Sequence, residues 1–187
     1  MIILGIDPGT QRVGYGVIQV EYGRTELLSA GILKVSPGDP LRVLPEIHRE
    51  LGALIKTHRP QALAIEKLFF MKNQKTAFAV AQARGVILLA AIEAGLKIYE
   101  FAPNEVKSGL TGYGHADKGA VLKIVRLILG APGLKVIDDA SDALAIALFA
   151  SQHQALRTAA LDKATSSPIL SPKSRKGFIK QSKGRVL

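Results

Sequence analysis

Cysteine is absent from the 187-residue chain. That excludes disulfides, thiolate nucleophiles and cysteine-held metals, and says little about compartment. No basic start leads into an apolar core and a small-residue cleavage site. Nothing therefore reads as an export signal, and the default expectation is a cytoplasmic protein. A long unbroken apolar run is missing too. The longest apolar segment, Ala77 to Ala94, is interrupted by Gln82, Arg84 and Glu93, and reads as a buried helix, not a membrane span. Acids are scarce beside bases. Fifteen Asp and Glu against 25 Lys and Arg give a formal net charge of +10 and a sequence pI near 9.9. That balance suits a polyanionic partner such as nucleic acid. The plainer alternative is a soluble basic protein without one.

Apolar residues make up 48% of the chain, enough to bury a real core at this length. The reading is one domain over 1–156 and a tail over 157–187. The tail is rich in Ser, Lys and Arg, with Asp162 its only acid. It reads as a mobile basic segment, the alternative being a tail docked on the body. No internal repeat is found. Ile2–Ile6 reads as a central strand, apolar throughout. "DPGTQRVG" is turn chemistry, followed by strands over Tyr15–Val20 and Glu26–Val35. Leu41, Leu44, Ile47, Leu51, Leu54 and Ile55 recur at helical spacing over Leu41–Thr57. Ala62–Ile65 is a short strand, "KLFFMKNQ" a loop, and Thr76–Ala94 a helix apolar on nearly all faces. Such a helix must be covered everywhere, by the core or by a second subunit. A strand in "GLKIYEFAP", a short helix, a glycine-rich loop, a helix over Lys118–Leu129 and a final helix from "DDASD" complete the pattern. Three hairpin-connected strands followed by alternating strand and helix predict an α/β fold. Its mixed five-stranded sheet has helices on both faces.

The acids are the part of the pattern that needs explaining. Asp7 ends an apolar strand, and Glu66 ends the next parallel one. Adjacent parallel strands end at one sheet edge, where active sites gather. Asp138, Asp139 and Asp142 open the last helix. Residues three or four apart share a helix face, so Asp138 or Asp139 points the same way as Asp142. Carboxylates crowded together resist ionising unless a cation neutralises them. Without cysteine, hard oxygen-seeking Mg²⁺ or Mn²⁺ fits best. Two ions roughly 3.5–4 Å apart can clamp a scissile phosphate. The plainer readings are a helix cap for Asp138, solvated first-turn acids for Asp139 and Asp142, a strand end for Glu66, and an Asx-turn for Asp7.

"ILGIDPGTQRVGYGVI", "AIEKLFFMKN", "AQARG", "VKSGLTGYGHADK" and "DDASDALAIA", in that order from Ile2 to about Ala150, resemble the RuvC family of Holliday-junction resolvases. The resemblance implies an RNase H-like fold, a homodimer and metal-dependent cuts in opposing strands of a four-way DNA junction. It implies two Mg²⁺ per site, with Mn²⁺ as substitute, and ends carrying a 5′-phosphate and a 3′-hydroxyl. It carries Asp7, Glu66, Asp139 and Asp142 over as catalytic and metal-binding acids, with Asp138 outside the motif. The double Asp leaves Asp138 as an alternative member. Asp7 is expected to bridge the ions, Glu66 and Asp142 each to complete one shell, and Asp139 to join the second.

Lys107 and Lys118 occupy the family's basic positions, where an ammonium stabilises charge gathering on the phosphate. Phe69 is expected to stack on an unpaired base at the junction centre. Lys72, Asn73 and Arg84 are candidates for backbone phosphate. Gly112 and Gly114 are candidates for close backbone approach to DNA. The alternatives are ordinary surface lysines, core aromatics and a plain turn. A branch-migration helicase complex of RuvA and RuvB is implied by the resemblance alone. Two other functions remain open here. One is a non-cutting junction-binding protein. The other is a fragment of an actin-like ATPase or kinase, which shares the "GIDPG" turn.

Overall fold

The structure, a computed structural model, describes residues 1–9, 12–36, 38–67 and 74–166. The chain runs β1 (Ile2–Pro8), β2 (Val13–Glu21), β3 (Arg24–Ile32), α1 (Pro40–His58), β4 (Ala62–Glu66), α2 (Gln74–Glu93), β5 (Lys97–Phe101), α3 (Pro103–Thr111), α4 (Lys118–Ile128) and α5 (Asp138–Ser166). The five strands form one sheet in the order β3-β2-β1-β4-β5. β1 and β2 pair antiparallel, as do β2 and β3. β4 lies parallel to both β1 and β5. This is the mixed sheet that the strand and helix pattern predicts.

Period-two alternation divides the strand side chains between two layers. Leu4, Ile6, Val17, Leu63 and Ile65 face one way and pack with Ile47 and Leu51 of α1 and Ile87 and Ala91 of α2. Ile3, Ile18, Ala62, Ala64 and Phe101 face the other way and pack with α3, α4 and α5. Helices therefore cover both faces.

Several boundaries differ from expectation. β1 continues to Pro8, so Asp7 is paired within the strand, opposite Gly14. The local signal stopped at Ile6 because Asp-Pro-Gly reads as a turn, but ladder pairing with β2 carries the strand two residues further. Helix α5 continues through Ser166, past the expected boundary at 156. The remainder of the tail, 167–187, lies outside the described residues. Among the described residues, no helix is long and apolar enough to cross a membrane.

Candidate active site

Asp7 shares its strand face with Ile3 and Gly5, and Glu66 shares its own with Ala62 and Ala64. Alternation thus aims both carboxylates into the layer that holds α5. Parallel pairing of β1 with β4, Ile6 opposite Ile65, brings the two acids to the same sheet edge.

Glycines let α5 settle on that edge. A Cβ on Gly14 would lie 2.1 Å from the Asp139 carbonyl oxygen, and one on Gly5 would lie 2.1 Å from that of Ala143. Only hydrogen fits in either gap. The first turn of α5 is thereby seated directly against β1 and β2, and Asp139 and Asp142 come beside Asp7. The sequence reading missed this packing role for Gly5 and Gly14. The register of β1 with β2 is the signal that locates it, since Gly14 faces Asp7 across the ladder.

The electrostatics follow from that geometry. Burial pushes the Asp7 carboxyl up to about 7, and the charges of Glu66, Asp142 and Asp139 add to the rise, while Lys118 opposes it. Glu66 is also raised, first by burial and then by Asp142, with Lys107 acting in the opposite direction. The Lys118 ammonium lies 3.0 Å from Asp142 and 3.9 Å from Asp138. Its hydrogen bond to Asp142 favours the charged form and raises its pKa. Lys118 opens α4 behind Asp117, whose carboxylate caps the helix by accepting from the Ala120 amide at 2.8 Å. Glu66, Lys107, Lys118 and Asp142 line a cleft of about 200 Å³ floored by apolar residues including Val106 and Ile146.

The donor set is all oxygen, and its members repel one another when ionised, which matches a hard divalent cation. Among the described residues, no three carboxylate or imidazole side chains converge tightly enough to enclose a cation as they stand. Lys118 pairs with Asp142 at 3.0 Å. Asp138 is the first helical residue, not the residue before the helix, and its side chain is 80% exposed. It therefore stands at the periphery of the group formed by Asp7, Glu66, Asp139 and Asp142.

The remaining candidates separate. Phe69, Lys72 and Asn73 lie outside the described residues. Gly112 adopts φ +78° and caps α3, whereas Gly114, among the described residues, has no left-handed φ. A Cβ at Gly114 would meet ordinary contacts, the nearest at 3.5 Å. The fold itself therefore leaves room for a side chain at Gly114. Arg84, a candidate for backbone phosphate, has partners within the fold. Its guanidinium is only 14% exposed and ion-paired with Glu100, and its Nε donates to the Glu66 carbonyl at 3.3 Å. These acceptors take two of its five N–H donors. Glu100 escaped the sequence reading because a Glu in a short strand carries no motif.

A family model described as "Crossover junction endodeoxyribonuclease RuvC" matches residues 3–150. A crossover junction endodeoxyribonuclease RuvC of Pelotomaculum thermopropionicum is 42% identical over 154 residues, covering 82% of this chain and 94% of the relative. One from Moorella thermoacetica is 46% identical over 149 residues, covering 79% and 89%. Among solved structures, T. thermophilus RuvC in complex with Holliday junction substrate superposes with a TM-score of 0.78. It is 37% identical, and the match covers 84% of this chain and 97% of that one.

Proposed function

The chain belongs to the RuvC family of crossover junction endodeoxyribonucleases, and from that premise we propose that Asp7, Glu66, Asp139 and Asp142 form its catalytic centre. The activity is metal-dependent endonucleolytic resolution of four-way DNA junctions in recombination and repair, and the fold is RNase H-like. Membership of this family displaces the kinase-fragment alternative. The observation that carries the site reading is the seating of the first turn of α5 against β1 and β2, which sets Asp139 and Asp142 beside Asp7; burial and three neighbouring carboxylates push the Asp7 carboxyl up to about 7. Such a site favours either a proton or a hard cation.

Two Mg²⁺ ions, replaceable by Mn²⁺, match the four acids. When bound they supply Lewis acidity and lower the pKa of water at the phosphodiester. The chain's own residues do the rest. The Glu66 and Asp142 carboxylates converge on the cleft together with Lys107 and Lys118. Lys107 stands across from Glu66, and Lys118 is held by Asp142 at the N-terminus of α4. Both ammonium groups are placed to stabilise negative charge as the phosphodiester opens to a 5′-phosphate and a 3′-hydroxyl. The apolar floor of the cleft thins the water around that charge and strengthens each interaction.

Junction contacts are assigned to Phe69, Lys72 and Asn73, which follow Glu66 in sequence, and to the loop around Gly114. The basic residues of 157–187 add sequence-independent affinity that falls with salt. A homodimer is assigned to α2, whose Phe78, Leu89 and Ile92 are 69%, 50% and 63% exposed. A two-fold pair of protomers presents two equivalent sites to the two opposing strands. A RuvA and RuvB helicase complex as partner and a cytoplasmic location complete the reading.

The test is a synthetic four-way junction incubated with Mg²⁺ and either wild type or Asp7→Asn. Wild type is expected to bind and cut symmetrically, and the variant to bind without cutting. Binding without product by wild type in both Mg²⁺ and Mn²⁺ would favour a non-cutting junction protein. Lost binding by a folded Asp7→Asn would reassign Asp7 to recognition.

A further inference from the structure

Arg84 occupies a position that neither the acid motif nor the cleft explains. It belongs to α2, which packs on the sheet face opposite the catalytic carboxylates. Its side chain runs to the sheet edge at the ends of β4 and β5. There Nη2 pairs with the Glu100 carboxylate and Nε donates to the backbone carbonyl of Glu66 at 3.3 Å. Glu100 sits on β5 directly opposite Ile65, so both of the acceptors belong to the end of the parallel strand pair. A second bond, from the Lys67 amide to the Phe101 carbonyl at 2.8 Å, closes the ladder beyond Glu66.

Glu66 needs such support. It is the last residue of β4, with a single further ladder bond beyond it. A strand end fixed by one ladder bond alone would turn with little resistance. The guanidinium is planar and cannot lose its proton, and its donors are fixed in a fork. It can therefore hold the peptide plane of Glu66 and the β5 carboxylate at the same time. With that plane fixed, the direction of the Glu66 Cα–Cβ bond is fixed, and with it the side of the sheet on which the carboxylate lies. Partners that hold a ligand's geometry from behind govern metal affinity.

The geometry points to Arg84 as a positioning residue that acts from the opposite layer of the fold, with Glu100 as its anchor. It orients Glu66 toward the metal site without touching DNA or metal. This inference rests on the four-carboxylate site proposed above.

The test compares wild type with Arg84→Ala, Arg84→Lys and Glu100→Gln in two measurements that do not depend on turnover. The first is calorimetric titration of the DNA-free protein with Mn²⁺ alone. The second is four-way junction affinity in EDTA across a salt series, which also reports whether each variant is folded. Arg84→Ala is expected to weaken Mn²⁺ binding by about 10-fold or more, with junction affinity and its salt slope unchanged. Arg84→Lys, which keeps the charge but loses the fork, is expected to fall between wild type and Arg84→Ala. Glu100→Gln is expected to weaken Mn²⁺ in the same direction, and Arg84→Ala combined with Glu100→Gln to be no worse than Arg84→Ala alone. Unchanged Mn²⁺ affinity in folded Arg84→Ala overturns the inference while leaving the carboxylate site intact. A salt slope reduced by about one overturns it in favour of a phosphate contact. Wild type that takes up no Mn²⁺ removes the carboxylate site itself, and the inference with it.

Discussion

Helix α5 is buried on most sides between Ala140 and Ala150: Ala140, Ala143 through Leu148, and Ala150 are each at most 2% exposed. Helix α2 is about as apolar in sequence, yet it leaves Phe78, Leu89 and Ile92 half-exposed or more. The difference lies in what faces each helix. α5 meets glycines on β1 and β2, which let small alanines approach the backbone. α3 and α4 then cover its other sides. α2 meets bulky Leu and Ile on its sheet side and α1 on its flank, and among the described residues Phe78, Leu89 and Ile92 stay uncovered. An apolar surround therefore has two meanings: burial within the chain for α5, and on the reading above, burial against a second copy for α2. Two of the four proposed catalytic acids, Asp139 and Asp142, ride on the buried helix, and the exposed stripe lies on the helix at the surface.

Four measurements probe that contrast, beginning with the largest effect. Asp142→Asn, in the first turns of the buried helix, is expected to lower junction cleavage by at least about 10³-fold, or ~4 kcal/mol. Gel-shift affinity for the junction should hold, and a proportional loss of affinity would remove Asp142 from the chemistry. Gly5→Val pushes side-chain atoms into the Ala143 carbonyl, and is expected to cost about 3 kcal/mol. Urea denaturation checks this. A midpoint like that of wild type would mean that α5 is looser than its burial implies.

The third measurement concerns pH. The Asp7 carboxyl has a folded pKa of about 7 against an ordinary value of 3.8, so between those values the folded state holds the extra proton. Stability of the metal-free protein therefore falls as pH rises through that window, and the loss is complete above about 7. Asp7→Asn is expected to flatten the decline and to stabilise the protein at pH 8 by about 2 kcal/mol. Thermal melts in EDTA from pH 4 to 8 report both. In the wild type, Mn²⁺ must displace that proton, so apparent affinity should drop as pH falls below about 7. The smallest effect on the protomer belongs to the exposed helix. Ile92→Lys is expected to change its stability by no more than ~0.5 kcal/mol while converting a dimer to monomer in sedimentation. A variant that stays dimeric would move the interface away from α2.

Much of the fold was legible because its signals are local. The continuous apolar runs of β1 and β4 and the helical period of α1 needed no knowledge of distant residues. The expected helix start at Lys118 is where α4 begins, one residue after the Asp117 cap. Other features resisted local reading. β1 runs on through Asp7 and Pro8 because β2 offers partners there, which overrides turn chemistry. Arg84 reads as a candidate for backbone phosphate, and only the fold shows that Glu100, 16 residues away, pairs with it. Gly114 looks as permissive as Gly112, but only Gly112 has to turn left-handed to end α3.

The sequence alone determined the kinds of group at the site and the faces they occupy: two acids at alternate positions of parallel strands, and two more three residues apart on one helix. Strand pleat and helical pitch are local geometry, so spacing suffices to set direction. Tertiary structure decided how close those groups come and what state they are in. Asp7 is protonated more readily than an ordinary carboxyl because glycines admit α5 to its side and burial removes its water. Desolvation and charge–charge repulsion depend on distances across the fold, and the order of residues along one chain does not specify those distances.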